Sequence, residues 1–214
     1  MNFLLFSKVA FEVTDPTALV ECYCFQSDFY SSYDLLGKRT IGDVNKIGGR
    51  IKPNLFPECE KVIDATKNLN IFEYNLDDFL RQSERIIKQS VEELDSRTIQ
   101  SLLRIKGIGL SKATKVLHTL YPNIIPMIDN LLQEEYRKEI DSSWTENHSN
   151  LIIFDYYKNL KEGNNWRNLS QIFKVTSENN LGLTKLRIFD ILWWSYLKSK
   201  RLRRSRSINW LAIK

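Results

Sequence analysis

The chain has 214 residues, 43% hydrophobic and 27% charged, with 31 basic and 26 acidic side chains for a formal charge of +5. That balance excludes a wholly disordered or collagen-like chain and fits one domain, or two small lobes sharing one core. The positive excess is local: residues 198–206 (KSKRLRRSR) hold six basic side chains and no acidic one, and the remainder is 25 basic against 26 acidic. Composition alone is therefore a weak argument for nucleic acid. Cys22, Cys24 and Cys59 all lie in the first 59 residues, with His118 and His148 the only histidines. They form neither a disulfide framework nor a paired zinc motif, and no four-cysteine iron–sulfur loop closes the chain.

In chain order, the start (MNFLLFSK) lacks the basic leading region of a signal peptide. Residues 1–13 have extended character, but no sheet is expected from them. Asp15 and Pro16 mark a helix start, as N-cap and first helical residue. Residues 58–69 place Val62, Ile63, Thr66 and Leu69 on one helical face. Residues 76–94 repeat apolar positions close to a 3.6 period from Phe79 to Leu94, with Asn75 as cap. Helices follow at 97–105, 111–121, 130–140, 151–161 and 184–200. Residues 37–57, 141–150 and 162–165 read as linkers or loops. The apolar stretch Ile188–Leu197 is too short to span a membrane and contains Asp190, which is expected to pair with Arg187. The chain therefore reads as an all-α protein of two helical lobes with a cleft between them, cytoplasmic and with no membrane association.

Residues 99–132 (IQSLLRIKGIGLSKATKVLHTLYPNIIPMIDNLL) carry the functional information. Ile99, Leu102 and Leu103 make the apolar face of one helix. Ala113, Val116, Leu117 and Leu120 make that of a second. Between them, Lys106-Gly107-Ile108-Gly109-Leu110 has room only for a tight hairpin. Its glycines permit positive φ and a close ligand, and the second helix presents unpaired N–H groups at its positive end. Lys106, Lys112 and Lys115 cluster around it. This arrangement suits a nucleic-acid phosphate gripped without sequence readout; a plain helix–helix turn is the other reading. No GxxxxGK[ST] is present, and Lys112 stands where a dinucleotide motif needs glycine. Beyond Tyr121-Pro122, the apolar run Ile124–Ile128 delivers Asp129 to the start of a new helix, as an N-cap or as a reactive carboxylate.

This segment resembles the core of the helix–hairpin–helix DNA glycosylase superfamily that includes endonuclease III. In that family an LPGVGxxxA hairpin opens a helix, and an apolar stretch then brings in the catalytic aspartate. Here the counterparts are Ile105–Ala113 and Pro126-Met127-Ile128-Asp129. Close similarity covers residues 99–132, and a likeness in helical layout extends from about 40 to 200. The resemblance implies one two-lobed unit over 1–214, with the hairpin at 97–121, the catalytic-aspartate segment at 122–140 and the basic segment at 198–206. It implies Asp129 as the catalytic residue, with Lys106, Gly107, Ile108, Gly109, Ser111 and Lys112 on the DNA backbone. Family members that also cleave the strand carry lysine at the second residue after the last hairpin glycine. Ser111 stands there, and Lys112, one residue later, is turned by about 100°. A monofunctional enzyme is expected. The sequence departs from the family at Lys106, where proline is usual, at Asn130-Leu131 and in lacking the iron–sulfur loop.

The expected enzyme is a monomer acting on double-stranded DNA. It flips a damaged or modified base from the stack and hydrolyses its N-glycosidic bond, in repair or in defence against foreign DNA. The expected base pocket draws on Tyr30, Tyr33, Trp193 and Asn130; Phe25, Phe29, Trp194 and Tyr196 are further aromatic candidates, and packing in the core is the other reading of these aromatics. No cofactor is expected, although family hairpins often hold a K+ or Na+ ion, which would here sit at the carbonyls of 105–110. The basic run 198–206 is read as phosphate-binding or as a solvated helix end. Two alternatives stay open: a non-catalytic helix–hairpin–helix DNA-binding module, and a bifunctional glycosylase and lyase using Lys112.

Overall fold

The structure, a computed structural model, describes residues 1–6, 8–26, 39–179 and 181–204. These residues are mostly helical. Ten α-helices are joined by short 3-10 turns and accompanied by one two-stranded sheet. No helix among them is long and apolar enough to cross a membrane.

The sheet is a departure from the sequence expectation. β1 (Asn2–Leu5) pairs antiparallel with β2 (Val9–Glu12), Phe3 opposite Phe11. Phe3, Leu5, Val9 and Phe11 are buried on one face, and the Phe3 and Phe11 rings stack 5.5 Å apart. The pair would be marginal alone. It persists because helix α9 (Asn165–Glu178) satisfies its edge. The Asn165 amide donates to Leu4 O (2.8 Å) and accepts from Leu4 N (2.9 Å), while Asn168 donates to Asn2 O (2.8 Å). That helix lies where the sequence reading assigned no element. Its buried Asn165, Asn168, Leu169, Ile172 and Thr176 mix polar and apolar residues on one face, which blurs the periodic signal.

α1 (Pro16–Gln26) begins as expected, Asp15 Oδ1 accepting from Ala18 N at 2.9 Å. The linker at 37–57 contains a 3-10 turn, Ile41–Ile47, whose start is closed by reciprocal Thr40 and Asp43 bonds. α2 (Phe56–Thr66) follows. The single helix expected over 76–94 is two: α3 (Leu76–Arg81), capped by Asn75, and α4 (Glu84–Leu94), capped by Ser83. Ser83 adopts extended backbone and its hydroxyl oxygen accepts from Ile86 N, so a second helix starts there. α4 runs through a π-helical turn (Asp95–Ile99) into α5 (Gln100–Leu103).

The remaining helices are α6 (Leu110–Leu120), α7 (Asn130–Glu139), α8 (Ser149–Lys161) and α10 (Lys185–Arg204). On α6, Leu110, Ala113, Val116 and Leu117 are fully buried; each larger one contributes about 1.5–3 kcal/mol by leaving water. α6 packs on the Ile41–Ile47 turn, and α10 packs against α1, α7 and α9. Part of the basic run is taken up within the fold. Lys200 pairs with Glu135 (2.5 Å), Arg201 lies 3.8 Å from Glu134, and Lys198 sits over the Trp194 ring. Cys24 and Cys59 are free thiols.

Candidate active site

Asp129 stands at the N-cap of α7, its Oδ1 accepting from Leu132 N at 3.0 Å. The apolar run Ile124–Ile128 that delivers it is buried, so its backbone groups need partners inside the protein. Side chains supply them. His118 donates through Nδ1 to Ile125 O at 2.6 Å, and burial pushes its pKa down to about 3, which keeps the ring neutral. Tyr157 donates to Ile124 O and Gln133 to Ile128 O. Thr114 accepts from Ile128 N at 3.0 Å while donating to Leu110 O. Asp129 is thus held to α6 by a segment whose backbone positions are fixed on either side of it.

The hairpin forms between α5 and α6 as expected, with Gly107 at φ +94°. The start of α6, however, is already met by an anion of the chain. Glu146 Oε2 accepts from Leu110 N at 3.2 Å, and a side chain at Gly109 would sit 3.4 Å from that carboxylate. Glu146 is held there from the π-turn. Gln100 donates to Glu146 O and to Asp95, and Asp95 accepts from Ser149. The hairpin carbonyls are also engaged. Gly107 O accepts from the Lys112 ammonium (2.8 Å), Ile105 O from Ile108 N, and Gly109 O from Lys112 N and Ala113 N. The ammonium thus occupies Gly107 O, one of the carbonyls expected to face a K+ or Na+ ion.

Asp129 opens onto a cleft of about 550 Å³. One wall is the turn after Ile47. Gly48 has φ +73° and Arg50 φ +50°. Gly49 admits no side chain, since a Cβ would lie 2.6 Å from Val44 Cγ2 and 2.8 Å from Val44 O. Asn45 pins the turn by bonding both Ile51 N and Ile51 O, and Lys115 of α6 donates to Gly48 O at 3.2 Å. The opposite wall is α10, with Arg187, Asp190, Trp193 and Trp194, and Tyr23 of α1 beside them. The Tyr23 and Trp194 rings meet edge to face at 5.6 Å. A cleft of this size, with polar groups and aromatic surface, is large enough for a nucleobase.

The charges in the cleft are coupled. Burial raises the Asp129 pKa, and the N–H groups of Leu132 and Leu131 with Lys115 and Arg187 pull it back. Loss of water outweighs the helix-start donors in setting its pKa. Burial lowers the Lys115 pKa, with Asp129 opposing and Arg187 and Arg50 adding to the fall. Asp190 is 1% exposed. Burial lifts its pKa to about 7, against Arg187 and the bonds from Tyr156 and Trp193, while Asp129 adds to the rise.

The structure therefore gathers Asp129, Asn130, Gly109, Ser111, Lys112 and Trp193 around one cleft. Lys106 and Gly107 are exposed on the hairpin outside its lining, and Ile108 is buried. Trp193 is 1% exposed and gives its indole N–H to Asp190, so it positions a carboxylate more than it offers a ring face. Tyr196 stacks on Phe11 in the core instead. Phe29, Tyr30 and Tyr33 lie outside the described residues, as does the side chain of Phe25. Asp190, Glu146, Tyr23 and Arg187 line the cleft without having been singled out for it. Only Asp190 carried a signal, as a lone acid in an apolar helix. Among the described residues no cluster of three or more His, Cys, Asp or Glu side chains is arranged to hold a metal ion. No protein-family model matches the chain, and no curated protein or solved structure matches it significantly.

Proposed function

We propose that the chain is a monofunctional DNA glycosylase, a two-lobed helix–hairpin–helix enzyme that hydrolyses the N-glycosidic bond of a base flipped into its cleft. The observation that carries this reading is Asp129. It is a partly buried carboxylate at a helix start, held by a hydrogen-bonded segment and open to a nucleobase-sized cleft beside a GxG hairpin.

Hydrolysis passes through a sugar with positive charge developing at C1′. Asp129 stabilises that charge electrostatically and accepts the proton of the attacking water. Its rigid backbone setting spares it reorganisation during the reaction. The Gly48–Arg50 turn and the Gly109 end of the hairpin line the cleft, and the strand would run across them, with Arg50 and Lys112 available to its phosphates. Tyr23 and Trp194 offer aromatic surface to the extruded base. Lys112, bonded to Gly107 O, is poorly placed as a lyase nucleophile, which favours the monofunctional form.

An abasic-site assay tests the proposal. Purified protein is incubated with duplexes carrying oxidised, alkylated, deaminated or mismatched bases and with genomic DNA from bacteria and from phages with modified bases. Alkali-dependent breaks on one of these, absent with Asp129→Asn, are expected. DNA bound equally by both proteins and left intact would favour a binding module.

A further inference from the structure

Asp190 is a carboxylate with two differently treated oxygens. Oδ1 accepts from the Tyr156 hydroxyl at 2.6 Å and from the Trp193 indole N–H at 3.3 Å. Oδ2 is buried without a hydrogen-bond partner, the Arg187 guanidinium lying 4.0 Å away. An unpartnered buried oxygen is costly, and a proton on it relieves that cost. With two donors on Oδ1, the proton goes to Oδ2, the oxygen without a partner, on a side chain that belongs to the lining of the cleft. The charged and titratable groups around it are Tyr156 of α8, Asp129 at the start of α7, Lys115 of α6, Arg187 of α10 and, beside Arg187, Tyr23 and Cys24 of α1. Its elevated pKa agrees with a carboxyl that keeps its proton near neutrality while Asp129, helped by two backbone N–H groups and Lys115, gives its own up more readily. Carboxyls driven apart in this way divide acid and base roles.

We propose that Asp190 is a second catalytic residue, the general acid that protonates the departing base, and that the substrate is accordingly a neutral base with a ring nitrogen or carbonyl oxygen facing Oδ2. The assignment rests on the glycosylase reading. As the C1′–N bond breaks, its electron pair goes to the base, and the Oδ2 proton passes to the acceptor atom. Water bonds to C1′ and gives one proton to Asp129. The base leaves neutral, and the two carboxyls, having exchanged protonation states, reset through solvent.

The test is single-turnover base release, from pH 5 to 9, by wild type, Asp190→Asn, Asp129→Asn and Tyr156→Phe. The substrates are the neutral-base duplexes and phage DNA above, and a duplex with N7-methylguanine, whose cationic base leaves without needing a proton. On the responding neutral base, Asp190→Asn lowers the rate by about 10²–10⁴-fold and removes the wild-type fall in rate above about pH 7. On N7-methylguanine, where cleaved, the same variant loses less than about threefold, whereas Asp129→Asn impairs both. Tyr156→Phe keeps the fall at high pH but moves its midpoint upward, because it removes a bond to the ionised form. Equal loss on both substrates, no wild-type fall above pH 7, or cleavage of the cationic base alone would overturn the assignment while leaving the glycosylase reading standing. Release of no base from any of these DNAs would overturn both.

Discussion

Replacing Asp190 by asparagine changes how stability depends on pH, and the size of the change follows from its surroundings. The side chain is 1% exposed, and its pKa stands at about 7 against an ordinary 3.8. The folded protein therefore keeps a proton that the unfolded chain has released. Between those two pH values unfolding frees that proton, so rising pH destabilises the fold by about 1.4 kcal/mol per pH unit, or about 4 kcal/mol in all. The loss is complete by about pH 8. Asparagine does not titrate. Urea unfolding of wild type and Asp190→Asn at pH 5 and pH 8 isolates the effect, since other groups cancel in the difference. The stability of wild type relative to the variant should fall by about 3 kcal/mol over that interval. A difference that stays constant, or that moves in wild type's favour as pH rises, would show that Asp190 is ionised throughout.

Other expectations concern the frame of the cleft. Glu146→Gln removes a negative charge from the start of α6, where Glu146 accepts from Leu110 N; relief of about 1 kcal/mol of repulsion should tighten DNA binding about fivefold at low salt. Fluorescence anisotropy showing unchanged or weaker binding would mean that DNA phosphates do not approach this helix end. Gly49→Ala forces a Cβ to within 2.8 Å of Val44 atoms, so a loss of about 1–3 kcal/mol is expected, and an unchanged melting temperature would contradict it. Thr114→Val keeps the shape but leaves the buried Ile128 N–H without its acceptor. The cost should be about 1–3 kcal/mol in urea unfolding, and wild-type stability would show that Thr114 does not hold the Asp129 segment.

The elements nearest the site were the most legible. Asp15, Asn75 and Asp129 each cap the helix they were expected to cap, because a cap acts within three residues of itself. α6 was readable because its apolar positions repeat at one period. What escaped depends on distant partners. The β1–β2 pair needs Asn165 and Asn168, over 160 residues away. Glu146 lies in a stretch read as a surface loop, and reaches the hairpin only because Gln100 and Asp95 hold the chain around it. Asp190 was expected to pair with Arg187. That contact exists at 4.0 Å, but the closer partners are Tyr156 and Trp193, and Tyr156 belongs to another helix. Burial, the largest influence on both carboxyls in the cleft, is a property of the whole fold that no local pattern states.

Asp129 is proposed to perform chemistry as well as to cap a helix. Single-turnover abasic-site formation by wild type and Asp129→Asn, on the DNA that responds and with dissociation constants measured alongside, tests it most directly. Asparagine keeps an oxygen for Leu132 N and should preserve fold and binding. In the variant a rate at least about 10²-fold lower is expected, with binding within about twofold. Equal rates in the two proteins, or a loss wholly explained by weaker binding, would contradict it.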